Sequence, residues 1–150
     1  MTTQKHPTTK HAPAKSAPRK ERYREAIGRR KTAAARVRVV FGGHKGPEVV
    51  INGRPLAGYF PMKKHQDVVI SPFEKLGIKD YSVSAHVSGG GVSSQAESVR
   101  LGISRTLVVE TPEVRPQLKS HGFLKRDPRK VERKKAGSRK ARRPQQWRKR

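Results

Sequence analysis

Guanidinium groups hold phosphate through paired hydrogen bonds, and the segment IGRRKTAAARVRV (Ile27–Val39) spaces cations for that chemistry. Arg29, Arg30 and Lys31 read as a turn leading into a strand, from one face of which Arg36 and Arg38 then project. Alternate strand positions repeat such a grip about every 6.6 Å. A solvated, exposed strand face is the bland alternative, but basic tails on both sides of the segment favour contact with nucleic acid.

A second segment, SGGGVSSQAESVR (Ser88–Arg100), reads as a strand, a glycine-rich loop and a helix. Exposed N–H groups at the positive end of a helix can cradle phosphate. The run has neither the Walker spacing with its Lys nor GxGxxG, and no acidic pair suited to a metal stands beside it. Three glycines also suit a tight turn where backbone packs on backbone. A turn laid against RNA backbone is preferred to a nucleotide site.

The densest basic segment is the last. Ser138–Arg150, SRKARRPQQWRKR, has seven Lys or Arg among thirteen residues and no acid. Residues 115–150 carry sixteen basic and two acidic groups, net +14, out of +25 for the whole chain of 150 residues. Such a field repels itself without a counter-charge, and nucleic acid is the densest polyanion in a cell. Residues 125–150 extended would reach about 85 Å at roughly 3.3 Å per residue. An arm of that kind threads between RNA helices and meets its ordering cost only on binding. Trp147 offers a flat group for stacking on a base or ribose.

Other chemistry is thinly supplied. The absence of Cys removes disulfides, thiolate zinc sites and thiol catalysis. The six His residues (6, 11, 44, 65, 86 and 121) show no metal spacing, and Ser93 and Ser94 have no evident base. No catalytic residue, metal site or cofactor is expected. No apolar run exceeds three residues, so neither a signal peptide nor a membrane span is expected.

The elements that must position these groups divide the chain in three. Residues 1–22 hold Pro7, Pro13 and Pro18 among Lys, Thr and Ala. They read as a disordered basic extension rather than a transit peptide, because the prolines interrupt any amphipathic helix. Residues 23–122 read as a globular α+β domain. Val37, Val39 and Phe41 alternate with Arg36, Arg38 and Val40 in a half-buried strand. GGHKG (Gly42–Gly46) is a turn and PEVVING (Pro47–Gly53) a second strand, expected to form a hairpin with the first. Leu56–Phe60 reads as one helical turn. Met62–Ile70 reads as a helix with Met62, Val69 and Ile70 on one face, ended by Pro72; a further turn over Phe73–Leu76 closes at Gly77. Tyr81–Val87 alternates cleanly as a strand. Val92, Ala96, Val99, Ile103 and Leu107 mark one face of a helix running to about Val109. A last short helix is expected, with Thr111 as N-cap, Pro112 in its first turn and Gly122 as its stop. Residues 123–150 form the arm, its start anchored by Phe123 and Leu124.

Four strings share a pattern. GRRKTAAARV (Gly28–Val37), INGRPL (Ile51–Leu56), GGGVSSQAESVRLGISRTL (Gly89–Leu107) and GFLKRDPRKVERKKAGSRKARRPQQWRKR (Gly122–Arg150) resemble the bacterial form of small-ribosomal-subunit protein nine. The resemblance covers about Tyr23 to Arg150, with the motifs in order. It implies a small two-layer α/β sandwich, a mostly antiparallel sheet with helices on one side, followed by a long arm. It also implies a structural, non-enzymatic place in the head of the small subunit. The expected partners are the rRNA of that subunit, neighbouring head proteins and the P-site tRNA, with no membrane and no small-molecule substrate. The setting expected is cytoplasmic, in the ribosome, in preference to an organellar ribosome.

Carried over position by position, rRNA contact falls to Arg29, Arg30, Lys31, Arg36, Arg126, Arg129, Lys130, Arg133, Lys134, Lys135, Arg139, Lys140, Arg142 and Arg143. Contact with the anticodon stem-loop of P-site tRNA falls to Lys149 and Arg150, which match the family's closing Lys-Arg pair, and is expected of Arg148 beside them. Three features depart from the family pattern. Ser94 stands where the family usually has Gly, Arg148 replaces a commonly small polar residue, and residues 1–22 lie outside the shared region. Two readings of other classes compete: a free nucleic-acid compaction protein, disfavoured by the ordered core motifs, and a nucleotide-binding enzyme, disfavoured by missing catalytic groups.

Overall fold

The computed structural model describes residues 23–41 and 46–147. The expected extension over residues 1–22, most of the GGHKG turn and the arm tip Arg148–Lys149–Arg150 lie outside them. In the domain the chain alternates as its apolar pattern requires. Strand β1 (Arg24–Arg30) pairs antiparallel with β2 (Ala33–Phe41), and β2 pairs antiparallel with β5 (Tyr81–Ser88). On the other edge of β5 lies β3 (Pro47–Ile51), which runs parallel to it and ends on the short β4 (Arg54–Pro55). The spatial order is β1-β2-β5-β3-β4.

β2 and β3 therefore do not form the expected hairpin, because β5 lies between them. Tyr81, Val83, Ala85 and Val87 are all buried, which draws β5 to the centre, where both its edges are hydrogen-bonded. A parallel β3–β5 pair then needs a long crossover. Helices α1 (Leu56–Tyr59) and α2 (Lys63–Leu76) supply it. The Asn-Gly turn after β3 extends the pairing by one side chain. Asn52 Nδ2 donates to the Val87 carbonyl at 3.0 Å, and the Val87 N–H donates to Asn52 Oδ1 at 2.9 Å.

Helix α2 also runs on through Pro72, which the sequence places at its end. Proline has no N–H to give the carbonyl four residues back. That carbonyl belongs to Val68, and the Ser71 hydroxyl donates to it at 2.8 Å. The helix stops instead at Gly77, in the left-handed conformation (φ 67°). Val69 and Phe73 are buried, whereas Met62, expected on that face, is 61% exposed just ahead of the first turn. Phe73 stacks on Tyr81 of the sheet, with ring centroids 3.6 Å apart.

Helix α3 (Val92–Glu110) buries Ala96, Val99, Ile103 and Leu107 as their spacing demands, while Val92 at its head is half exposed. It also buries Ser98, Ser104 and Thr106, whose hydroxyls donate to the carbonyls of Gln95, Arg100 and Gly102 at 2.7–2.9 Å. Those internal bonds let polar residues lie in the core. The helix presses closely on the sheet. A Cβ at Gly28 would stand 1.8 Å from the Ser98 carbonyl oxygen, and one at Gly102 would stand 2.5 Å from Val37 Cγ2. Pro112–Val114 makes a single 3-10 turn after Thr111, and α4 (Arg115–Ser120) follows, with Gly122 beyond it at φ 72°.

Both long helices lie on the sheet face that carries Tyr81 and Val37, giving two layers with the opposite face open. Phe123 and Leu124 pack against the core as expected. Beyond them the chain is largely exposed and irregular, apart from a short β-ribbon of β6 (Ser138–Lys140) and β7 (Arg143–Pro144).

Candidate nucleic-acid interface

Residues of one strand alternate between the two faces of a sheet. The rule separates the cations of the GRRK motif. Arg29 and Arg30 lie in β1, not in the turn where the sequence puts them, paired with Ala34 and Ala33. Gly28 hides the strand: it interrupts the apolar alternation, yet it is the residue that lets α3 approach. Lys31 does occupy the turn, at φ 51°, and is exposed. Arg29 is exposed, whereas Arg30 shares the helix side with Gly28, and its side chain is only 11% exposed.

The open sheet face carries Glu25, Ile27 and Arg29 from β1, Arg36 and Arg38 from β2, and Ser84 and His86 from β5. The register sets Ile27 beside Arg36 and Arg36 beside His86. Arg36 Nε donates to Glu25 Oε1 at 2.6 Å, and Arg38 Nε donates to Glu25 Oε2 at 2.8 Å. The two guanidinium groups hold the Glu25 carboxyl below its usual range. Exposed pairs of this kind add little stability. Their effect is to fix where two guanidinium planes stand, leaving their outer N–H groups toward solvent. Arg36, Arg38, Ser84 and His86 line a shallow cavity of about 250 Å³. The Arg38 guanidinium also lies 4.9 Å from the Tyr23 ring centre.

Arg30 is bound differently. Its Nε meets Glu97 of α3 at 2.5 Å, and its NH2 meets Asp127 at 2.8 Å. Its NH1 donates to the backbone carbonyls of Arg129 at 2.8 Å and Asp127 at 3.4 Å. Every nitrogen of this guanidinium has a protein acceptor. Asp127 is held down at about 2, first by the side chain and N–H of Arg129 and then by the charge of Arg30.

In the arm, Arg126, Arg129, Lys130, Arg133, Lys134, Lys135, Arg139, Lys140, Arg142 and Arg143 are all exposed. Arg129 pairs with Asp127, while Lys135 and Arg142 share Glu132 at 3.6 and 3.0 Å. The other seven have no ion pair among the described residues. Trp147 is 96% exposed. Arg148, Lys149 and Arg150, expected from the resemblance to contact tRNA, lie outside the described residues.

The glycine-rich loop packs backbone against backbone. Gly89 and Gly90 take positive φ, and a Cβ on either would come within 2.8 Å of Thr32 or Ala33. Spatial proximity also brings His65 Nε2 to 3.0 Å from Ser93 Oγ, a contact no sequence spacing announces. His65 Nδ1 has no partner among the described residues, so nothing orients that ring as a base. No cluster of His, Asp and Glu among the described residues could hold a metal ion. No described helix is long and apolar enough to cross a membrane.

Sequence reasoning missed the acids. Glu25 holds Arg36 and Arg38 of the next strand, Glu97 holds Arg30, and Asp127 holds Arg30 and its neighbour Arg129; their one signal was scarcity, eleven acids against thirty-six cations.

A two-layer α/β domain with arginines on its open face and an exposed basic segment beyond it has the form of a basic scaffold protein. The family model described as "Ribosomal protein S9/S16" matches residues 28–150. Relatives named small ribosomal subunit protein uS9 are similar over 131 residues, 87% of this chain. That of Mycolicibacterium paratuberculosis (strain ATCC BAA-968 / K-10) is 49% identical, with 77% of its own length covered. That of Mycobacterium tuberculosis (strain ATCC 25618 / H37Rv) is 47% identical, with 85% covered. The chain belongs to the ribosomal protein S9/S16 family, structural and non-enzymatic components of the ribosome.

Proposed function

We propose that this chain is a structural constituent of the small ribosomal subunit that holds rRNA of the subunit head and reaches the P-site tRNA with its arm tip. One observation carries the reading. From residue 115 onward cations outnumber acids sixteen to two, and the arm cations among the described residues all face solvent. Such a segment gains structure by neutralising phosphate. The division of labour follows the charge: an extension over residues 1–22, a domain over 23–122 and an arm over 123–150.

Arg29, Lys31 and Arg36 on the domain, with Arg126, Arg129, Lys130, Arg133, Lys134, Lys135, Arg139, Lys140, Arg142 and Arg143 on the arm, contact rRNA phosphates; Arg30, expected among them, is set apart because protein acceptors take all three nitrogens of its guanidinium. Arg148, Lys149 and Arg150 contact the anticodon stem-loop. Phosphate contacts carry no sequence information, which suits a site that must accept every tRNA. Neighbouring head proteins complete the surroundings, and the setting is the cytoplasmic ribosome.

The test is retention of P-site tRNA on small subunits assembled with the chain lacking Arg148, Lys149 and Arg150. Loss of about 1 kcal/mol of charged contact weakens retention roughly fivefold. Unchanged retention in fully assembled subunits would remove the tRNA role and leave the rRNA role standing.

A further inference from the structure

We infer that Arg30 is a positioning residue that locks the root of the arm to the domain and so sets the direction in which the arm leaves. Four observations meet at this side chain. It projects from the last position of β1 toward the helix layer, while Arg29 beside it faces away. It binds one carboxylate of the domain, Glu97 on α3, and one of the arm, Asp127. It holds the arm by its backbone as well, through the carbonyls of Asp127 and Arg129. Its side chain is 11% exposed, whereas Arg126, Arg129 and Lys130 around it are open to solvent.

A planar guanidinium offers donors in a rigid fork. Here the fork spans two elements: Nε points to α3, and the two terminal nitrogens point to the arm. An ammonium is a single point of charge and cannot reproduce that span. Asp127 is in turn gripped by Arg129 through three nitrogens, the backbone N–H among them, in four contacts of 2.8–3.2 Å. The Asp-Pro-Arg turn is thereby closed on itself as one unit, which Arg30 then fastens to the domain. Arg100 braces the same corner, its guanidinium 5.3 Å from the ring centre of Phe123, where the arm begins. A phosphate-contacting arginine keeps its N–H groups open, and Arg30 does not. The lock is a property of the protein alone and stands whether or not the tRNA reading holds.

The chain has no Cys, so two introduced cysteines are the only labelling sites. Spin labels at Asp67→Cys on α2 and Val131→Cys on the arm, both exposed positions, report the domain-to-arm distance in the free protein. With Arg30 present the distance distribution is narrow. In Arg30→Met it loses its narrow peak, and in Arg30→Lys it does so too, although the charge is kept. A retained peak in Arg30→Met overturns the proposal, as does a broad distribution with Arg30 intact. Should Arg30→Met fail to fold, Asp127→Ala, placed outside the core, decides by the same criterion. A second readout separates the lock from phosphate contact: the slope of log affinity against log salt for poly(U). Removing a phosphate contact lowers that slope by about 0.7. Arg30→Met is expected to leave it unchanged, and a drop of that size would contradict the assignment.

Discussion

Gly28 and Gly102 face each other where β1 passes under α3, and neither has room for a methyl group. A Cβ at Gly28 would meet backbone atoms of Ser98 and Gly102, which cannot swing aside as a flexible side chain can. Gly28→Ala should therefore destabilise the domain by roughly 3 kcal/mol, in the upper range for overpacking, as read from the denaturant midpoint. A change near zero would mean that the sheet and α3 are not pressed together here. Arg36 is the opposite case: exposed, oriented by Glu25 and free to give its outer N–H groups to a phosphate. Arg36→Ala should leave stability nearly unchanged and lower the salt slope for single-stranded RNA by about 0.7, one phosphate's worth. An unchanged slope would restrict Arg36 to holding Glu25.

Among the elements, α2 shows how a local rule is overridden by one neighbour. Pro72 argues for a helix end, but the Ser71 hydroxyl supplies the donor that Pro72 cannot. Ser71→Ala should cost about 1 kcal/mol by leaving the Val68 carbonyl without that partner, measurable by thermal unfolding. β5 and α3 were readable because their periods of 2 and 3.6 are unbroken over eight and nineteen residues. β1 was not, since Gly28 breaks its alternation and its reason for being there is the helix above it. The β2–β3 hairpin was misread for a similar cause: adjacency in sequence says nothing of a third strand arriving later to separate the pair.

The arm root also responds to acid in a defined sense. The Asp127 carboxyl is held at about 2 in the folded protein, against about 3.9 for an unperturbed Asp. A carboxyl lowered on folding stabilises above its unfolded value and loses that contribution as pH falls through the folded one. The narrow distance between α2 and the arm should thus persist from pH 7 to 5 and disappear as pH falls from about 4 toward 2. Loss already at pH 6 would point to a histidine instead.

At the level of the whole molecule, charge and fold are separated along the chain. Residues 23–114 carry net +6 and supply nearly all of the buried core, while residues 115–150 carry net +14 and bury little beyond Leu118. That the described cations beyond residue 123 face solvent was readable from this imbalance. Which face each arginine takes was not, because strand parity had to be known first, and the pairings of Glu25, Glu97 and Asp127 exist only once β1, β2, α3 and the arm are brought together. The domain has a core of its own, whereas the cations described beyond residue 123 face solvent. The most direct test is sedimentation of the tagged full-length chain from lysate through a sucrose gradient. Co-migration with the small subunit, resistant to washing at moderate salt, is the expected result. Protein left at the top of the gradient, or spread across DNA-containing fractions, would contradict the assignment and favour a free compaction protein.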